Sequence, residues 1–264
     1  MKSLDDEYEN AAYIPDADKF IARWQNAAAE FRATLSQTGR AELDVPYGKT
    51  DRQRFDVFTP VGKSKGIMIF VHGGYWLKFD KSYWSHLANG AVEKRWHVAL
   101  PSYDLCPTVR IHQITHQIAQ AVKAISRCTS GPITLVGHSA GGHLVARMAM
   151  GELLPKGVYD RIVKVMPISP VADLRPMRQT KMNEDFQLSE AGAIAESPTL
   201  MERPACDVHV WVGAEERPAF IDQAKRLSQA WAVPLSMVPS KHHFDVIEAL
   251  SQSSSYMITQ LLDM

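Results

Sequence analysis

A serine stands between two glycines in Gly137-His138-Ser139-Ala140-Gly141, with the apolar run Ile133-Thr134-Leu135-Val136 before it and a helical pattern from Gly142 to Met150 after it. A serine raised on a tight turn between a buried strand and a helix has the geometry of a nucleophile elbow. The turn strains the serine backbone, and side chains two residues before and after it would collide with each other and with the neighbouring strand. Gly137 and Gly141 occupy those two places. At roughly 7% usage each for Gly and Ser, such a pentapeptide arises by chance in about one unrelated chain of this length in ten, so its surroundings must carry the inference.

Upstream, the strand-like run Gly66-Ile67-Met68-Ile69-Phe70-Val71 ends abruptly in His72-Gly73-Gly74-Tyr75-Trp76. A loop of paired glycines after such a strand lets backbone N–H groups approach a substrate closely, and the residue after the serine, Ala140, supplies another. Gly73, Gly74 and Ala140 are therefore the expected donors to a tetrahedral oxyanion. A general base is expected after the last strand, in the order serine, acid, histidine. Pro234 to Val238 reads as that strand, and Lys241-His242-His243-Phe244-Asp245 follows. His243 leads into an expected final helix, Phe244 to Leu262, and is preferred to His242. The acid is expected beyond the strand Val208 to Val212, where Glu215 and Glu216 are equally placed by spacing, with Asp173 in reserve. His143 reads as a packed or pocket-edge residue. The three aromatics Tyr75, Trp76 and Tyr103, with Phe244 beside the base, are expected to clasp a planar ring.

The alternation of strand and helix patterns predicts an α/β fold with a mainly parallel twisted sheet and helices on both faces. Strands are expected at 54–59, 66–71, 97–100, 133–136, 162–168, 208–212 and 235–238. Helices are expected at 81–94, 111–127, 142–153, 219–231 and 244–262. Phe20, Trp24, Ala28, Phe31 and Leu35 form one apolar stripe of an N-terminal helix between Asp16 and Gln37. The chain reads as one domain, 1–264, with a helical extension at 1–40 and a short cap or lid at 171–204.

Charge is balanced, 29 basic against 29 acidic residues, so neither nucleic acid nor an anionic membrane is an expected partner. A small-molecule acyl substrate is, and a homodimer is left open. Cys106, Cys128 and Cys206 have no metal-ligand spacing and read as buried, reduced thiols. Without a signal-like apolar core near the N-terminus, the expectation is a soluble cytoplasmic protein needing no metal or cofactor.

Together, His72-Gly73-Gly74-Tyr75-Trp76 and Gly137-His138-Ser139-Ala140-Gly141-Gly142-His143-Leu144 resemble the α/β-hydrolase superfamily, and within it the kynurenine formamidases (arylformamidases) and their bacterial relatives. The resemblance covers Gly66 to the C-terminus. Where that family's acid loop reads Asp-Ser-Pro-Glu-Phe before a Gln-containing helix, this chain has Glu216-Arg217-Pro218-Ala219-Phe220 with Gln223, which selects Glu216 over Glu215. The family's His-Phe pair matches His243-Phe244. The chain departs from the pattern at the acid, Glu for Asp, and at Leu77, where Gln is common. The resemblance implies a triad of Ser139, His243 and Glu216 that cleaves a small acyl compound through an acyl-enzyme, with N-formyl anilides such as N-formylkynurenine as substrates. A carboxylesterase or thioesterase acting on short acyl groups is the alternative, and a non-catalytic ligand-binding protein of the same fold is the remote one.

Overall fold

All five residues of Ile67–Val71 are buried, as befits a strand covered on both faces. In the computed structural model, which describes residues 3–263, this strand lies inside one sheet of nine strands. The strands are β1 (Ala41–Pro46), β2 (Arg54–Phe58), β3 (Ile67–Val71), β4 (His97–Pro101), β5 (Ile133–His138), β6 (Ile162–Ile168), β7 (Asp207–Val208), β8 (Val210–Gly213) and β9 (Leu235–Val238). Their order is β1-β2-β4-β3-β5-β6-β8-β9, with β7 beside β6. Only β2 runs against the others. Val71 of β3 pairs with Gly137 of β5, so the loops leaving these two strands start at the same level.

The pleat sends alternate residues of β3 to opposite faces. Ile67, Ile69 and Val71 join a core with helices α4 (Ile111–Ile125), α5 (Ala140–Met148) and α9 (Pro218–Trp231). Met68 and Phe70 join a second core on the other face with α2 (Ala17–Gln37) and α10 (Tyr256–Leu262). Helix α2 uses the apolar stripe expected of it, burying Trp24, Ala28 and Leu35. Ahead of it lies a short first helix, α1 (Leu4–Glu7), and a short α6 (Lys156–Tyr159) precedes β6. Residues 1, 2 and 264 of the expected domain extents lie outside the described residues.

Several elements differ from expectation, each for a local reason. β1 is an edge strand with mostly exposed or half-buried residues, interrupted by a bulge between Glu42 and Val45, so it carries little alternation to recognise. The expected helix 81–94 breaks into 3₁₀ turns at Lys81–Tyr83 and Ser85–Ala88 and a short helix, α3 (Asn89–Glu93). There Gly90 packs so tightly on the chain that a Cβ would sit 2.4 Å from the Leu250 carbonyl oxygen. The expected helix 244–262 is likewise a 3₁₀ segment, Val246–Ser251, followed by α10, because Ser255 caps a new helix by accepting from the Ile258 N–H. The strand expected at 208–212 divides at His209 into β7 and β8, both bonded to β6. Segment 171–204 folds into short turns of helix, including α7 (Asn183–Phe186) and α8 (Glu190–Ala195), with Met177 and Phe186 buried. Of the three cysteines, all free, only Cys106 is buried; Cys206 is half-buried and Cys128 exposed, which corrects their reading as a buried set. Among the described residues no helix is long and apolar enough to cross a membrane.

Trp24 anchors α2 to the body, with its ring 4.7 Å from that of Trp84 and 5.2 Å from that of Phe244. Trp24→Ala should cost about 3–5 kcal/mol, read as a lower urea midpoint at unchanged slope.

Candidate active site

The chain leaves β5 through a turn with almost no free space. A Cβ on Gly137 would lie 2.2 Å from the Gly141 carbonyl oxygen, and one on Gly141 would lie 2.0 Å from that of Val71. Contacts this short exclude any side chain, as the two-glycine pattern predicts. Between them Ser139 adopts φ +57°, ψ −118°, and its N–H donates to the Ile168 carbonyl at 2.9 Å. Helix α5 starts at the next residue, Ala140, whose N–H belongs to the first turn and has no partner within the helix.

His243 and Glu216 meet 27 residues apart in sequence: His243 Nδ1 lies 2.6 Å from Glu216 Oε2. The carboxylate can only accept, so Nδ1 carries the proton and Nε2 is left with a free lone pair. Glu216 is held from its other oxygen, Oε1, which accepts from the Gly213 N–H at 2.8 Å and the Ser169 hydroxyl at 2.5 Å. Both side chains are buried, as is Ser139 at 2% exposure. The His243 ring packs on Phe220 at 4.3 Å and His138 at 4.5 Å.

Ser139, His243, Gly73 and Gly74 open onto one cavity of about 490 Å³. Gly74, at φ +108°, has room for no Cβ because the Lys78 carbonyl oxygen would be 2.5 Å away. The cavity walls are largely apolar, with Trp24, Phe79, Trp84, Tyr75 and Phe244 contributing rings. Its lining also takes in Asp5, Glu9, Lys78 and Lys181. Among the described residues no group of three or more His, Cys, Asp or Glu is placed to hold a metal ion.

The expected aromatic clasp divides. Tyr75 and Phe244 line the cavity, whereas Trp76 and Tyr103 are fully buried behind it. Trp76 packs edge-on against His143 and Phe186, and Tyr103 stacks flat on His72 and donates its hydroxyl to the His72 carbonyl at 2.9 Å. They support the loop rather than face a ligand: the left-handed backbone after Gly74 carries Trp76 inward, and the stack and hydrogen bond to His72 hold Tyr103 beneath the loop. Trp24, Phe79, Trp84 and Met182 take their place. The helical stripe marked Trp24 as a packing residue, and nothing local distinguishes a core ring from one bordering a cavity.

The other candidates lie apart. His242 Nδ1 is 3.2 Å from Asp245 Oδ1, Glu215 is exposed, and the Asp173 carboxylate pairs with Arg175 at 2.8 Å. His143 is buried and donates from Nε2 to the Glu196 carbonyl at 2.8 Å, in keeping with a packing role.

A catalytic-type cluster at the carboxyl ends of a parallel sheet is the α/β-hydrolase arrangement. The chain belongs to that family: the family model described as alpha/beta hydrolase fold matches residues 68–215. It is 29% identical to the kynurenine formamidase of Salmo salar, the match covering 93% of this chain and 89% of that one. The kynurenine formamidase of Danio rerio is 28% identical over 98% of this chain and 94% of its own length. The crystal structure of a candidate thioesterase from Silicibacter sp. superposes with a TM-score of 0.96 at 52% identity, covering 99% of both chains. The protein is thus an α/β-fold hydrolase that resembles kynurenine formamidase.

The region is dense in buried imidazoles that burial keeps neutral. Desolvation pushes His72 and His143 down to about 4, and holds His138 well below the usual histidine range, with the adjacent His243 adding to the effect. Above pH about 6.5 these rings are neutral in both folded and unfolded chains. Below it the unfolded chain takes up protons that the folded one refuses, so stability falls with pH down to about 4 for His72 and His143. The urea midpoint should therefore drop steadily between these limits, and His143→Gln should flatten the slope.

Proposed function

We propose that the protein is a serine hydrolase acting on N-formyl anilides, with Ser139 as nucleophile, His243 as general base and Glu216 as orienting acid. The observation that carries the reading is the meeting of a strained serine and a carboxylate-anchored histidine on one cavity. In this scheme Ser139 Oγ attacks the formyl carbon while its proton passes to His243 Nε2. Glu216 fixes the tautomer and stabilises the imidazolium. The negative oxygen of the tetrahedral intermediate accepts from the N–H groups of Gly73, Gly74 and Ala140. Collapse breaks the C–N bond, and the arylamine leaves with the proton from His243. Water, deprotonated by the same imidazole, then releases formate and restores the serine.

The substrate class rests on the wall and the mouth. Aromatic rings stack on an anilide ring and orient its carbonyl, supplying the positioning that makes attack effectively intramolecular. A formyl group is the smallest acyl group, so a cleft crowded by Tyr75 and Phe244 still admits it. Asp5 and Glu9 at the cavity offset Lys78 and Lys181. Balanced charge there suits a zwitterionic amino-acid side chain such as kynurenine's better than the polyanionic carrier of a coenzyme A thioester. Thioester or short-ester hydrolysis is the second reading, favoured by the 52% identity to the candidate thioesterase.

A fluorophosphonate should label one residue, and Ser139→Ala should abolish both the labelling and about three or more orders of magnitude of turnover. Glu216→Gln should lower kcat about 10²–10⁴-fold, with Glu215→Gln near wild type; the reverse order would move the acid to Glu215. In a substrate panel, kcat/KM for N-formylkynurenine should exceed that for p-nitrophenyl acetate, p-nitrophenyl butyrate and acyl-coenzyme A. Efficient thioester turnover with formanilides untouched would select the second reading.

A further inference from the structure

Tyr75 and Trp76 are consecutive non-glycine residues at φ +54° and +58°, a left-handed conformation that costs an L-residue about 1 kcal/mol or more each. Such a conformation persists only where the surroundings enforce it. Trp76 is held by its rings' contacts with His143 and Phe186, and its carbonyl accepts from the Cys106 N–H at 2.8 Å. Tyr75 is held from the far end of the chain. Its hydroxyl donates to the Tyr8 carbonyl and accepts from Asn10 Nδ2 at 2.9 Å.

This grip is itself anchored. The Tyr8 hydroxyl accepts from Gln223 Nε2 at 2.8 Å, while Gln223 Oε1 accepts from the N–H groups of Ala172 at 2.9 Å and Asp173 at 2.7 Å. Phe220, on the same helix, packs edge-on against Tyr8 at 5.7 Å and Tyr75 at 6.4 Å, and lies 4.3 Å from the His243 ring. Tyr8 and Asn10 are 3% and 4% exposed, so water does not compete for these bonds. Burial also holds the Tyr75 phenol well above its ordinary value, which keeps its donor proton in place.

We propose that Tyr8 and Asn10 are positioning residues: by gripping the Tyr75 hydroxyl they hold the Gly73–Tyr75 backbone at the angle its N–H groups need to meet the oxyanion. The inference rests on the reading of Gly73 and Gly74 as oxyanion donors. Charge on that oxygen develops only in the transition state, so loosening the grip weakens transition-state binding and spares ground-state binding.

Phenylboronic acid separates the two. Ser139 Oγ forms a bond to boron, its proton passes to His243, and the resulting tetrahedral boronate places an oxygen in the oxyanion position. The arylamine product reports ground-state binding. For Tyr75→Phe and Asn10→Leu, kcat and boronate affinity should each fall about tenfold or more, with KM and arylamine affinity within about threefold of wild type. Tyr75→Phe removes a single oxygen and keeps the test open where Asn10→Leu does not fold. Boronate affinity that is unchanged, or that falls only in parallel with arylamine affinity, overturns the proposal. A boronate that binds Ser139→Ala as tightly as wild type overturns instead the serine-hydrolase reading, and this inference with it.

Discussion

The turn at Ser139 has room for hydrogen atoms and for nothing larger. The carbonyl of Val71 occupies the place a side chain on Gly141 would need, and the carbonyl of Gly141 does the same for Gly137. Through that contact the end of β3, the end of β5 and the start of α5 are packed backbone to backbone. Because Val71 and Gly137 are also paired in register, the loop that begins at His72 and the turn that raises Ser139 stand side by side. One close approach thus sets the serine, the glycine loop and the first N–H groups of a helix around a common point. A methyl group added there would push β3 and α5 apart, and the arrangement has no slack in which to absorb it.

The loop at Glu216 shows how a long carboxylate side chain is held. Glu has one more methylene than Asp, and a free side chain of that length would sample many rotamers. Here both oxygens are committed: Oε2 to His243, and Oε1 to the Gly213 N–H and the Ser169 hydroxyl. Ser169 lies just past β6 at φ +47° and Gly213 ends β8, so the ends of two further strands converge on the same carboxylate.

The cavity over this cluster is assembled from distant pieces of chain. Asp5, Tyr8 to Ala11 and Trp24 come from the beginning, Lys181 and Met182 from the segment at 171–204, and Phe244 from near the end. They are tied together by polar contacts as well as packing: the Arg217 guanidinium pairs with Asp6 at 3.0 Å and lies 3.6 Å over the Tyr13 ring, and the Lys181 N–H donates to Asp5 at 2.6 Å. Arg217 follows Glu216 directly, so the N-terminal segment docks on the Glu216 loop itself. The walls of this cavity are therefore the parts of the molecule least defined by any single element.

The elbow at Ser139, the glycine pair at 73–74, the strands of the central sheet and the helical stripe through Trp24 were all written in local pattern, because each depends on spacing and residue type within a few positions. The meeting of His243 with Glu216 was legible in the order of the residues, although spacing alone did not separate Glu216 from Glu215; the carboxylate that reaches the imidazole is decided by which way a loop turns at Gly213. Sequence placed Tyr75, Trp76 and Tyr103 together as a clasp, and tertiary structure sent two of the three inward: Trp76 through the left-handed backbone at 75–76, and Tyr103 through its stack on His72 and its bond to the His72 carbonyl. Residues 3–13 carried no signal of a site at all. Their part in the cavity comes from contacts with residues 65 to 215 positions away, such as Tyr75, Arg217 and Gln223, and long-range packing of that kind leaves no periodicity in the segment that takes part in it.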